Sequence, residues 1–181
     1  MIKNIIQFVR KKKLKKCGER VSILKNCFFQ GNIELGNDIV IGRNCKFIST
    51  IAKIKIYDNV VFGPEVTIYT GDHQMDILGE HIIEIKTKTR KDLDRDVIIE
   101  SGCWIGTKAI ILKGVTIGKG SVIGAGSIVT KNVPPYSIYT GVPNVRIIDR
   151  FSKDEIKMHE EMLIKKGKKI NSFFGEEIDD K

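Results

Sequence analysis

The stretch Val97–Val133 reads VIIESGCWIGTKAIILKGVTIGKGSVIGAGSIVTKNV, and its aliphatic residues recur every six positions. A period of six is neither the helix period nor simple strand alternation; it is typical of hexapeptide β-helix repeats, whose short strands wind into stacked coils. Alternation within a repeat sends the aliphatic residue inward, together with the small or β-branched residue two places before it. The aliphatic positions are Ile99, Ile105, Ile111, Ile117, Ile123 and Val129, and the small positions are Val97, Cys103, Ala109, Val115, Ser121 and Ser127.

The same register runs through the first half of the chain. Ile23, Phe29, Leu35, Ile41 and Phe47 lie six residues apart, and Ile56 follows nine residues after Phe47. The three extra residues predict a bulge between Phe47 and Ile56. Because one repeat cannot bury its apolar face alone, we expect residues 21–150 to form a single all-β domain, a β-helix of about five coils.

One side of the coil is interrupted by a long insertion. Thirty-one residues separate Ile68 from Ile99, so a six-residue side has gained about twenty-five, with the sequence GDHQMDILGEHIIEIKTKTRKDLDR. This pattern predicts a loop over residues 72–95 that leaves the regular scaffold. Binding and catalytic residues concentrate in such loops.

Composition narrows the cellular setting. No stretch reaches eighteen apolar residues, and the N-terminus does not have the order of charged and apolar regions found in signal peptides. Cys27, Cys45 and Cys103 occupy inward small-residue positions, and no CxxC spacing occurs, so we expect reduced core thiols rather than disulfides or a metal site. These features predict a cytoplasmic protein.

Residues 1–20 hold most of the positive charge. Eight Lys and Arg residues against Glu19 give a net +7 there, out of +9 for the chain. A short basic helix could attach the protein to the inner face of an anionic membrane near lipid-linked sugars. The more ordinary interpretation, which we favour, is a solvated helix that packs on the first coil. Nucleic-acid binding is disfavoured because no recognised motif accompanies the charge.

The C-terminal part, residues 151–181, changes character. Val133-Pro134-Pro135 predicts the end of the regular repeat. Ser152 and Glu155 have capping-box spacing and predict a helix over about 153–166. Its shared face is predicted to hold Ile156, His159, Met162 and Leu163, and the tail from Gly167 is polar.

At this point the chain resembles a known family. WIGTKAIILKGVTIGKGSVIGAGSIVTKNVPPYSIYTGVP, from Trp104 to Pro143, looks like the signature of hexapeptide-repeat O-acetyltransferases, which include galactoside, maltose, streptogramin and polysaccharide-modifying enzymes. The resemblance spans roughly Val21 to Arg150. It implies a left-handed parallel β-helix, a homotrimer, and acetyl transfer from acetyl-CoA, without a metal, at sites between subunits. The left hand rests on the resemblance alone, because ordinary crossover rules favour the right hand.

The resemblance gives His73 the role of catalytic base, since a family histidine begins the excursion and GDHQMD lies at that point. The chemistry agrees: imidazole titrates near neutrality, so it can take the proton of an acceptor hydroxyl and return it to the departing CoA thiolate. Asp72, Asp76 or a backbone carbonyl could fix the ring's tautomer.

Cofactor residues transfer by matching motifs. Trp104, Gly106 and Thr107, then Ala125, then Thr130 and Lys131 correspond to family positions along the CoA groove, where a cation meets phosphate. Turn geometry alone also explains Gly106 and Ala125. The chain departs from the family after Gly141-Val142-Pro143: the usual basic positions hold Val145 and Ile148, with Arg146 and Arg150 nearby but out of step.

Three alternatives remain from sequence. A nucleotide-aminosugar N-acetyltransferase has the same coils. A non-enzymatic assembly scaffold is possible, although a scaffold needs neither His73 nor the VTK segment. A carbonic-anhydrase-like zinc trimer is disfavoured, because it needs three histidine ligands and the insertion contains only His73 and His81.

Overall fold

The computed structural model describes residues 14–85, 93–141 and 145–168, and the backbone of 172–173 and 176–177. Most of the predicted basic segment, part of the 72–95 loop, Val142 and Pro143 of the GVP turn and most of the polar tail therefore lie outside the described residues. Within the described parts, no helix is long and apolar enough to cross a membrane.

Short parallel strands dominate the described chain. Along the coil they are β1 (Lys16–Cys17), β2 (Ser22–Ile23), β3 (Phe28–Leu35), β4 (Val40–Ile41), β5 (Lys46–Ile56), β6 (Val61–Phe62), β7 (Thr67–Tyr69), β8 (Val97–Ile99), β9 (Trp104–Ile105), β10 (Ile110–Ile111), β11 (Thr116–Ile117), β12 (Val122–Ile123) and β13 (Ile128–Val129). The chain continues with β14 (Ser137–Thr140), β15 (Arg146–Asp149), helix α1 (Lys153–Lys165), β16 (Ser172–Phe173) and β17 (Glu176–Glu177).

The strands stack into a β-helix of about five coils with three faces. The first face is β2, β4, β6, β9, β12 and β14. The second face is the N-terminal halves of β3 and β5, followed by β7, β10 and β13. The third face is β1, the C-terminal halves of β3 and β5, β8 and β11. We name the corners after the faces they join, in chain order: first–second, second–third and third–first.

The predicted inward residues fill the interior. Every aliphatic and small position between Val97 and Val129 is buried, from Val97 at 0% exposure to Val129 at 0%. In the lower coils the rings of Phe29, Phe47 and Phe62 form one column, with centroids 5.4 and 5.1 Å apart. Cys45 and Cys103 are buried as predicted, whereas Cys27 is only partly buried. The six-residue prediction of an all-β coil is confirmed.

The predicted bulge lies at the second–third corner. Gln30 pairs with Ile48 and Asn32 pairs with Lys53, so four residues of β5 stand opposite Gly31 of β3. The coil therefore widens at this corner, directly beneath the point where the long insertion leaves after β7.

The regular six-residue repeat ends at the two prolines, whereas stacking continues beyond them. Val133 bridges to Ile117, and β14 pairs with β12 so that buried Tyr139 stands above Ile123. The six-residue spacing stops at Pro134, but the space above the last full coil is still filled. Strand β15 then returns antiparallel along β14.

Helix α1 begins where its capping box predicts. The Ser152 side chain accepts the backbone N–H of Glu155, and the Glu155 carboxylate accepts the backbone N–H of Ser152. Ile156, His159 and Leu163 are partly buried against the coil. Met162 is 53% exposed and does not share that face, because the helix packs on a narrow corner rather than a flat sheet.

Candidate functional site

The insertion leaves the scaffold at the second–third corner, and His73 is the third residue beyond buried Thr70. Asp72, the residue before it, fixes the backbone there: its Oδ1 accepts the His73 backbone N–H at 2.9 Å, and Lys113 Nζ lies 3.2 Å from its Oδ2. The His73 N–H, and after it Lys113, hold the pKa of the Asp72 carboxyl below its usual value. Asp72 thus orients the main chain that presents His73.

His73 borders a cavity of about 290 Å³ at the root of the excursion. Its walls include the exposed Tyr69 ring, Gly71 and the carboxylates of Asp72 and Asp94. A neutral imidazole can accept a proton from a hydroxyl, and the exposed Asp72 carboxylate can accept a hydrogen bond from a further hydroxyl, whereas the Asp94 carboxylate is buried. The cavity is therefore suited to a polar acceptor with several hydroxyl groups.

Asp94 is the residue that sequence reasoning missed. It lies in the insertion, outside the six-residue register, and its side chain is buried against residues 43 and 44 positions earlier, Ile51 and Thr50. No local pattern signals a partner so far away in sequence. Only the nine-residue spacing from Phe47 to Ile56 marked that corner as unusual.

Two of the predicted cofactor residues, Thr130 and Lys131, belong to the same corner as His73, and so does Lys113, which the sequence did not single out. Lys113 stands one level above the excursion, and Thr130 and Lys131 stand one level higher, because β10 and β13 are neighbours on the second face. Thr130 and Lys131 are exposed. Two levels correspond to about 10 Å along the coil axis at the usual strand spacing. Lys131 is thus placed to contact part of a ligand that lies about 10 Å along the coil axis from the start of the insertion.

The remaining predicted cofactor residues lie across the second face, at or beside the first–second corner. Gly106 and Thr107 follow β9, and Ala125 follows β12 one level above. Trp104 faces outward from β9 with 55% exposure, and exposed Arg146 pairs with Thr140 at the same end of the first face. One chain therefore does not bring its two groups of predicted cofactor residues together. An eighteen-residue count could have shown this, since Lys113 and Lys131 are one coil apart but Gly106 and Lys131 are not.

Gly106 also has a structural reason to be glycine. A Cβ there would lie 2.6 Å from the Ala125 backbone N, so any side chain would force two coils apart. Thr107 donates its hydroxyl to the Pro64 carbonyl of the coil below at 2.8 Å. Both residues therefore help to hold successive coils together at the first–second corner.

Arg150 lies at the third–first corner, away from both groups. Its Nη1 donates to the Gly120 carbonyl at 2.6 Å, and its guanidinium stacks 4.6 Å above the Phe151 ring. It borders a second cavity of about 290 Å³, between α1 and the coil, that includes Tyr136 and His159. Of the two arginines considered from sequence, Arg146 is the one in the sheet of the first face, where β15 pairs with β14.

Histidine, cysteine and acidic side chains do not assemble a metal site in the described parts of the chain. Among the residues that the structure describes, no group of three or more of them could hold an ion. His81 and His159 lie apart from His73: His81 is exposed in the insertion, and His159 packs its ring against Tyr136.

Known proteins share this fold and these motifs. Residues 96–131 match the family described as "Bacterial transferase hexapeptide (six repeats)". Galactoside O-acetyltransferase of Escherichia coli K12 is 39% identical over 113 residues, covering 60% of this chain and 52% of that protein. A solved galactoside acetyltransferase in complex with coenzyme A has 30% identity and a TM-score of 0.66, covering 82% and 72% of the two chains. Maltose O-acetyltransferase from Clostridium difficile 630 has 30% identity and a TM-score of 0.65, covering 81% and 75%.

The chain therefore belongs to the hexapeptide-repeat acetyltransferase family. It spans only 50 to 58% of the length of the first curated relatives that it matches.

Proposed function

We propose that the protein is an acetyl-CoA-dependent O-acetyltransferase that acts on a hydroxyl of a sugar or of a cell-surface polysaccharide precursor. The observation that carries this proposal is the position of His73. It lies where the insertion leaves the second–third corner, beside a cavity whose lining includes Asp72 and Asp94, and below Lys113 and Lys131. The galactoside and maltose O-acetyltransferases among its relatives support the same reaction class.

In the proposed reaction His73 removes the proton of the acceptor hydroxyl as its oxygen attacks the thioester carbonyl of acetyl-CoA. The carbon–sulfur bond breaks, and the proton on the imidazole passes to the departing thiolate. The products are the acetyl ester and free CoA, and His73 returns to its neutral form. Asp72 contributes by fixing the His73 backbone, as its hydrogen bond to that N–H indicates.

The two groups of cofactor residues support a site shared between subunits. Trp104, Gly106, Thr107, Ala125 and Arg146 belong to one corner region, and Thr130 and Lys131 to another. We propose that acetyl-CoA lies between the first–second corner of one subunit and the second–third corner of the next, in a homotrimer. A cation at Lys131 or Arg146 would meet its phosphates.

An exposed apolar stripe on the first face supports the assembly. Val40, Val61 and Trp104 stand directly above one another at 41%, 44% and 55% exposure. Val122 and Ile138 extend the stripe towards the top of the coil. Stacked exposed apolar side chains are characteristic of a surface that another protein covers. We place the reaction in the cytoplasm, in keeping with the thiol form of Cys17, Cys27, Cys45 and Cys103.

The test is an acceptor screen with acetyl-CoA that follows free thiol and identifies the product by mass. Neutral mono- and oligosaccharides, aminosugars and nucleotide-linked sugars form the panel. We expect an increase of 42 Da, the mass that an acetyl group adds by its chemical formula, on a hydroxyl, with His73→Ala as the matched blank. Transfer only to an amine would replace the O-acetyltransferase proposal with the N-acetyltransferase one. CoA binding without any transfer would favour a scaffold.

A further inference from the structure

Asp94 stands at the far end of the excursion, and its carboxylate reaches back to the coil below. Only 8% of the residue is exposed. Its Oδ2 accepts the Ile51 backbone N–H at 2.8 Å and the Thr50 hydroxyl. Both donors belong to the bulge of β5. One buried carboxylate therefore joins the end of the insertion to the widened corner beneath it.

The beginning of the excursion rests on the same carboxylate. A Cβ at Gly71 would lie 2.5 Å from Asp94 Oδ1 and 2.6 Å from Thr50 Oγ1, so the Gly71 backbone lies directly against both. The Arg95 backbone N–H donates to the Thr70 carbonyl at 2.9 Å, which closes the two ends of the loop together. Asp94 thus packs beneath the main chain two residues before His73.

Burying the Asp94 carboxylate in this way is energetically unfavourable for folding. Asp94 Oδ1 is buried and has no hydrogen-bond partner among the described residues. Leaving such an oxygen unsatisfied carries a desolvation penalty, which is larger when the group is charged. Native proteins keep few such groups, and each calls for an explanation beyond packing. Here the residue that carries the oxygen also borders the His73 cavity.

We propose that Asp94 is a positioning residue that sets where His73 stands by fixing Gly71 against the bulge of β5. The inference rests on the proposed role of His73 as base. A base must be within hydrogen-bond reach of the proton that it abstracts, and a misplacement of about 1 Å can cost about 10²-fold in rate. Asp94 acts through Thr50, Ile51 and Gly71, and it does not exchange a proton with the acceptor.

Asp96 provides a matched control two residues further on. Its Oδ1 accepts the Lys53 backbone N–H at 2.8 Å, so it also ties the end of the excursion to the bulge. Asp96 is exposed and does not border the cavity. Comparing substitutions of Asp94 and Asp96 therefore distinguishes a general role in anchoring the loop from a specific role in positioning His73.

Kinetics of the full-length variants give the first measurement. Asp94→Ala should lower kcat about 10²-fold with the Michaelis constant for acetyl-CoA little changed. Asp94→Asn should stay within about threefold of the unaltered protein, because its amide oxygen can still accept from Ile51 and Thr50. Asp96→Ala should leave kcat near normal. Equal losses in Asp94→Ala and Asp96→Ala, or a normal kcat in Asp94→Ala, overturn the proposal.

Imidazole NMR gives a second measurement that does not depend on activity. The chain has three histidines, so labelled histidine gives few signals, and a His73→Gln variant assigns the one of interest. Asp94→Ala should move the His73 signals and leave those of His159 unchanged, whereas unmoved His73 signals overturn the proposal.

Should Asp94→Ala fail to fold, Gly71→Ala displaces the same contact and should produce the same shift and rate loss. If no acceptor is acetylated but His73 still moves, the proposed function fails and the positioning role stands.

Discussion

Lys113 and Asp72 stand on successive levels of the second–third corner, with Lys113 Nζ 3.2 Å from Asp72 Oδ2. The other oxygen of Asp72 accepts the His73 backbone N–H. The excursion is therefore held from above by an ion pair and from below by Asp94. His73 stands between these two contacts, on a loop whose root is fixed on both sides.

Replacing Lys113 should change the pH dependence of the stability that Asp72 contributes at the start of the insertion. The folded-state pKa of Asp72 is lowered first by the His73 N–H and then by Lys113. Its contribution to stability is thus present above the unfolded pKa, about 3.9, and is lost as the pH falls through the lowered value. In Lys113→Met the folded-state pKa should rise towards the unfolded value, so the stabilising contribution of Asp72 should be smaller and its loss should be complete at a higher pH.

Carbon-13 titration of the Asp72 carboxyl measures this change. Lys108→Met is the control, because Lys108 pairs with Glu65 at a different corner, at 3.9 Å. An unchanged Asp72 titration in Lys113→Met would show that the ion pair does not form in solution.

Core packing gives a second prediction. Phe47 is fully buried between Phe29 and Phe62, so Phe47→Ala should lower the free energy of unfolding by about 3–5 kcal/mol. Phe28, the outward neighbour of Phe29, is 44% exposed, and Phe28→Ala should change it by about 0.5 kcal/mol or less. Denaturant unfolding at one fixed protein concentration compares the two, because assembly also adds to stability. Similar losses in both variants would contradict the observed inward column.

The fold was predictable because its signal is periodic and local. Six-residue spacing identified the buried residues from Ile99 to Val129, and the Ser152–Glu155 spacing placed the start of α1. The extra residues before Ile56 located the bulge. Each inference needs only neighbours in the chain or the register of the coil.

The site was only partly predictable because its contacts are not periodic. His73 follows from the break in the register together with the family resemblance. Asp94 has no such signal, since its partners are 43 and 44 residues away. Motif matching placed Gly106 and Lys131 along one groove at sites between subunits. It could not show that they lie at different corners of one chain, because a motif gives order along the chain and not direction around the axis.

Assembly gives a third prediction, on the first face. Val61→Asp places a charge in the middle of the apolar stripe and should dissociate the proposed homotrimer, because burying an unpaired carboxylate is strongly unfavourable. Lys157→Asp, on the exposed surface of α1, should leave the trimer intact. Sedimentation at micromolar concentration distinguishes the two. A Val61→Asp protein that remains trimeric would mean that subunits meet elsewhere.

Cofactor binding gives a fourth prediction. Lys131→Ala should raise the Michaelis constant for acetyl-CoA and leave kcat near normal, because a phosphate contact far from the thioester stabilises ground and transition states alike. Lys153→Ala, an exposed lysine at the start of α1, is the control and should change neither constant. Steady-state kinetics with varied acetyl-CoA measure both. A fall in kcat at unchanged Michaelis constant would place Lys131 at the reacting centre instead.

The fifth prediction tests the base. His73→Ala should reduce acetyl transfer by about 10²–10⁴-fold, the usual cost of losing general-base catalysis. Trimer formation and CoA binding should persist, since His73 is exposed and the coil interior is untouched. His81→Ala is the matched control within the same insertion: His81 is also exposed, and its backbone N–H donates to Glu84 at 3.0 Å, a bond that alanine keeps. Initial rates on the best acceptor, with calorimetry for CoA, separate chemistry from binding. Near-normal turnover by His73→Ala would reject His73 as the base, and an equal loss in His81→Ala would assign the effect to the loop as a whole.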